Sequence, residues 1–94
     1  GVVIRQFVRF FFGIPLRPTW SPDGKFIAFS VQSDDGVSGN EGVYIVNVEI
    51  GEVRRLTKEG DYPIWFPDGQ KIAYSFQNKT YIVDINSYRV RRVE

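Results

Sequence analysis

The chain has 94 residues, 43% of them hydrophobic and 16% aromatic, with 12 basic and 11 acidic side chains. Such a balance belongs to an ordered globular unit rather than a disordered segment, and a net charge of +1 makes no overall field that would draw nucleic acid or an anionic membrane. The absence of Cys, His and Met removes disulfides, thiol nucleophiles, imidazole bases and every zinc site built on Cys or His.

The first 20 residues carry Arg5, Arg9 and Arg17 as their only charges. Phosphate affinity scales with the number of cationic contacts, so these three do not predict a nucleic-acid arm. The arginines interrupt residues 2–12, which also fall short of the roughly 20 apolar residues that cross a bilayer, so no membrane span is expected. Gln6 stands where an N-myristoylation signal has Ser or Thr. Residues 2–5 and 7–12 read as two short strands, either the outer half of a preceding four-stranded unit or an unrelated hairpin within residues 1–17.

From Pro18 the chain repeats itself. Pro18-Thr19-Trp20-Ser21-Pro22-Asp23-Gly24-Lys25-Phe26-Ile27-Ala28-Phe29-Ser30 returns 45 residues later as Pro63-Ile64-Trp65-Phe66-Pro67-Asp68-Gly69-Gln70-Lys71-Ile72-Ala73-Tyr74-Ser75. Val43-Tyr44-Ile45-Val46-Asn47-Val48 and Val53-Arg54-Arg55-Leu56 return 37 residues later, so the first copy holds an eight-residue insertion between Ser30 and Val43. A period of this size sets the architecture. Each copy reads as four short strands, because β-branched and aromatic runs alternate with turn residues and no apolar period of 3.6 occurs. The expected strands are 19–21, 25–32, 42–49 and 52–57 in the first unit (18–57), and 64–66, 70–76, 79–85 and 88–93 in the second (63–94). Pro22-Asp23-Gly24 and Pro67-Asp68-Gly69 predict tight turns in which proline presets φ and glycine takes the left-handed position.

The string around Trp20 and Trp65, with Arg-Arg-Leu-Thr at 54–57, resembles the WD-like β-propeller repeat of TolB, which also occurs in the propellers of prolyl-oligopeptidase-type and tricorn-type peptidases. The resemblance implies an all-β chain of antiparallel four-stranded blades, two complete ones plus an N-terminal half blade, with each first strand nearest the central channel. The second copy departs at Phe66, Gln70, Lys71 and Val93 but keeps its Trp, Pro and Gly residues. Two and a half blades fall short of the four to eight of a typical ring, which predicts either further blades of a larger propeller or self-association through open edges. The resemblance to TolB implies a periplasmic setting and that to the peptidases a cytoplasmic one, so the compartment stays open.

For function, the insertion at 32–42 is a glycine- and acid-rich loop, and Asp34, Asp35, Asn40 and Glu41 are the candidate partner-binding residues. Its spacing lacks the alternating oxygen ligands of a calcium loop, and two adjacent acids do not make a glycosidase pair. No metal or cofactor is expected, and no serine triad can be built without His. Trp20, Pro22, Asp23, Gly24, Trp65, Pro67, Asp68 and Gly69 are expected to shape the blades, with both tryptophans in the core. The pairs Arg54-Arg55 and Arg91-Arg92 are expected to lie solvated on outer strands. The leading expectation is a noncatalytic protein–protein interaction scaffold. The alternative is the substrate-gating propeller of a serine peptidase whose catalytic domain lies outside the chain.

Overall fold

The computed structural model describes residues 14–32 and 39–93. The expected strands at 2–5 and 7–12 and the center of the insertion lie outside these residues. Within them the chain is all-β, with eight strands in two antiparallel sheets and no helix of any length, hence none long and apolar enough to cross a membrane. The first sheet is a meander of β1 (Ile14–Trp20), β2 (Phe26–Gln32), β3 (Gly42–Asn47) and β4 (Val53–Arg55). The second repeats that order with β5 (Asp61–Trp65), β6 (Lys71–Phe76), β7 (Lys79–Asp84) and β8 (Val90–Val93).

The first strand of each sheet starts earlier than its sequence suggests. β1 begins at Ile14 rather than 19, and β5 at Asp61 rather than 64. Pro18 and Pro63 look like strand breakers, but each sits at a register shift, between Leu16 and Thr19 and between Asp61 and Ile64. Proline is tolerated at a bulge on an edge strand because no ladder N–H is needed there. β4 is shorter than the expected 52–57, since Leu56 and Thr57 leave the strand and both donate their N–H to the Val43 carbonyl.

Each first hairpin closes through its glycine. Gly24 (φ +74°) donates to the Ser21 carbonyl at 3.0 Å, and Gly69 (φ +71°) to Phe66 at 2.9 Å. The Asp23 carboxylate accepts from the Ser21 hydroxyl and the Lys25 N–H, which hold its pKa below the ordinary carboxylate value, the hydroxyl contributing most. Phe66 replaces Ser21 in the second copy, and there the Asp68 carboxylate accepts from the Gln70 N–H without a hydroxyl donor and stands 3.7 Å from the Lys71 ammonium.

Strand alternation sends the apolar groups to both faces of the first sheet. Ile27, Phe29, Val31, Tyr44 and Val46 form one buried cluster. Ala28, Val43 and Ile45 point the other way and join Leu56, Ile72, Tyr74, Val83 and Ile85 in a core shared by both sheets. The sheets are thus stacked face to face, as blades are. The junction also has directional bonds: Trp65 Nε1 donates to the Thr19 carbonyl at 3.0 Å, the Phe26 and Trp65 rings lie 6.3 Å apart, and Arg54 Nη1 donates to the Ile85 carbonyl at 3.3 Å.

Two expectations are corrected by this packing. Trp65 packs against the core, but Trp20, its counterpart, is 58% exposed. Arg54 and Arg55 are half-buried rather than solvated. Arg54 bridges the sheets, and Arg55 donates to the Gly39, Glu41 and Thr57 carbonyls. A guanidinium can satisfy several carbonyls at once, so these arginines stitch the blade rather than guard its edge. Arg91 and Arg92 are exposed.

Candidate functional site

The two bulges place Arg17 and Tyr62 at equivalent points of the repeat, both with left-handed backbone at φ +53° and +56°. A Cβ makes that conformation costly, and the following Pro18 and Pro63 disfavor it further by restricting the preceding residue to extended backbone. Yet neither position uses glycine. Non-glycine strain that persists in a sheet is a physical pointer to function.

The bulges meet because β1 and β5 run side by side where the sheets converge. The Arg17 guanidinium lies over the Tyr62 ring with its carbon 4.0 Å from the centroid, and Nη2 donates to the Tyr62 hydroxyl at 3.0 Å. Nη1 stands 3.7 Å from the Asp61 carboxylate. The hydroxyl bond, and after it the charge of Asp61, raises the Arg17 pKa above its ordinary value. Asp61 is itself fixed, accepting from the Ser30 hydroxyl at 2.6 Å and from the Tyr62 N–H at 2.7 Å. The result is an exposed cation stacked on an exposed phenol, anchored beneath by a carboxylate and a hydroxyl that is only 1% exposed. This arrangement can stack on aromatic groups and donate to carboxylates or carbonyls.

Asn40 and Glu41, at the base of the insertion, are half-buried. Their carbonyls are clasped by the Tyr44 hydroxyl at 2.7 Å and by Arg55. Asp34 and Asp35 lie outside the described residues. Among the described residues no three His, Cys, Asp or Glu side chains are grouped to hold a metal. Sequence reasoning missed Arg17, Asp61 and Tyr62. The available signal was that Arg17-Pro18 and Tyr62-Pro63 fall at the same point of the repeat.

No protein-family model matches the sequence, and no curated protein matches it. Solved structures do. A putative TolB from Agrobacterium tumefaciens is 26% identical with a TM-score of 0.69 over 84% of this chain, and TolB from Acinetobacter baumannii is 22% identical with 0.64 over 85%. The acylaminoacyl peptidase of Pyrococcus horikoshii is 20% identical with 0.69 over 97%. The match spans 31%, 21% and 15% of those chains. With two stacked four-stranded meanders, the fold is that of a β-propeller. More narrowly, it is a partial propeller of the TolB-like kind.

Proposed function

We propose that the chain is a noncatalytic propeller segment that acts as a protein–protein interaction scaffold, with the Arg17–Tyr62 stack as its contact point. The observation that carries this reading is the pair of strained, exposed, non-glycine bulges on the first strands of the two sheets. Arg and Tyr are enriched where interface energy concentrates, and here they are presented already stacked, with little freedom left to lose on binding. The composition agrees, since the chain contains neither His nor Cys.

Affinity capture with the tagged chain tests this. Arg17→Ala and Tyr62→Ala are each expected to lower the yield of retained proteins by about tenfold, the scale of a lost charge-assisted contact. Capture that is unaffected by both changes but abolished by Asp34→Asn with Asp35→Asn moves the contact to the insertion. No specific capture at all contradicts the scaffold.

One observation favors a second reading. The likeness to the acylaminoacyl peptidase covers nearly the whole chain, which suits the propeller region of a prolyl-oligopeptidase-type serine peptidase, where axial side chains would gate substrate entry. The coding sequence adjoining this segment separates the two readings: a hydrolase domain supports gating, and further repeats alone support the scaffold.

A further inference from the structure

The repeat stacks the same aromatic pair in both sheets but gives its hydroxyl an acceptor in only one. Phe29 lies on Tyr44 with ring centroids 5.7 Å apart, and their counterparts Tyr74 and Tyr81 stack at 5.6 Å. In the first sheet the Tyr44 hydroxyl donates to the Asn40 carbonyl at 2.7 Å. Asn40 belongs to the insertion, and the second copy has in its place only the short turn at Gln77 and Asn78. Tyr81 thus loses the acceptor that its counterpart has, and Tyr74, standing where the first sheet has Phe29, adds a second hydroxyl.

Both phenols border one groove of about 450 Å³. Tyr74 stands opposite Tyr81, and Val83 opposite Val90. Residues two apart on a strand share a face, so Tyr74, Phe76, Tyr81 and Val90 all lie on the face turned toward the first sheet. The link at 55–59 lines the groove from the other side. Phe76 and Tyr81 are half-buried with their rings 6.4 Å apart, and Tyr88 and Val90 are exposed. Tyr74 is only 4% exposed, yet among the described residues neither phenol hydroxyl has a hydrogen-bond partner. No sealed polar side-chain atom among those residues lacks one, so the Tyr74 hydroxyl reaches the open groove. Lys58 and Glu59 carry opposite charges in the wall, so the groove does not select a charged segment.

We infer that this groove binds an extended proline-rich segment of a partner protein, whose rings lie on the aromatic side chains and whose carbonyls accept from the Tyr74 and Tyr81 hydroxyls. A polyproline II backbone makes no internal hydrogen bonds, so its carbonyls are free to accept. Proline brings no N–H that the groove would have to satisfy, and the preformed helix has little conformational freedom left to lose on binding. The groove shares no residue with the Arg17–Tyr62 stack, so the two contact points stand or fall separately.

The probe is an end-blocked decaproline peptide, titrated into the isotope-labelled 94-residue chain. Saturable shifts are expected in the amide signals of Lys58, Phe76, Tyr81 and Val90, while the indole signal of Trp20, outside the groove, stays in place. Tyr74→Phe and Tyr81→Phe each remove only a hydroxyl, and each should weaken binding by about threefold or more, the scale of one net hydrogen bond. Otherwise unchanged spectra verify that both variants fold. An end-blocked Gly-Ser peptide of equal length, flexible and without rings, should give no saturable shift. Unchanged affinity in either variant overturns the inference, as does equal binding of the Gly-Ser peptide. So does a decaproline titration with no saturable shift, or with shifts that bypass the groove.

Discussion

Arg17 and Tyr62 hold a backbone conformation that costs a residue with a Cβ about 1–2 kcal/mol, and the same test can be applied at positions without a proposed role. Gln77 and Asn78 form the two-residue turn between β6 and β7 with φ +52° and +65°, a geometry that favors glycine. Gln77→Gly is expected to raise stability in denaturant by about 0.5 kcal/mol, relief of the strain being partly offset by glycine's backbone entropy. Gly60 is the opposite case: at φ +117° a Cβ there would run into the Tyr74 ring, so Gly60→Ala should destabilize by about 2 kcal/mol or more. Burial pushes the Tyr74 hydroxyl up to about 12. Its neutral form is favored in the folded chain, so stability is full below pH 10, where the unfolded tyrosine ionizes, and falls as the pH rises from there toward 12. Tyr74→Phe should remove that fall in alkaline unfolding curves while leaving neutral-pH stability within about 0.5 kcal/mol. None of these environments is written in a local string. Gly60 and Tyr74 lie 14 residues apart and meet because Gly60 leads into β5, whose Asp61 pairs with Ser75 of β6.

At the scale of elements, Trp20 and Trp65 occupy equivalent positions of the repeat and have different fates. Trp65 has a neighbor strand whose Thr19 carbonyl takes its indole N–H, whereas Trp20 is mostly exposed. The four-strand meander was legible because alternation and the Pro-Asp-Gly turns are local signals. The bulges were not, since the prolines that allow them read as strand ends. The role of Arg54 was hidden for another reason: its acceptor, the Ile85 carbonyl, belongs to the next sheet, and no spacing rule within one repeat points to it. Trp65→Phe keeps the ring packing on Phe26 but leaves the Thr19 carbonyl without its indole donor, and is expected to cost about 1 kcal/mol. Trp20→Phe should cost less than about 0.5 kcal/mol. Equal costs in thermal or denaturant unfolding would place both indoles in like surroundings and contradict the junction described.

For the whole molecule, two sheets share one core and bring their first strands together, so the strained bulges of the two sheets meet at one exposed place. The loop at 32–42 was the most conspicuous candidate in the sequence because it breaks the repeat. The bulge cluster was inconspicuous because it belongs to the repeat, and Arg17 meets Asp61 and Tyr62 only when the blades stack. If the strain is kept for binding, removing it should separate stability from function. Tyr62→Gly relieves about 1–2 kcal/mol of backbone strain. It gives back up to about 1 kcal/mol through glycine's entropy, and the exposed cation–π contact with Arg17 takes a further 0.5–1 kcal/mol, roughly. The most direct measurement is therefore the denaturant midpoint of Tyr62→Gly, taken together with its capture of proteins retained by the parent chain. A midpoint within about 0.5 kcal/mol of the parent and a loss of capture are expected. A clear fall in stability with capture unchanged would make the bulge a structural element and contradict this expectation.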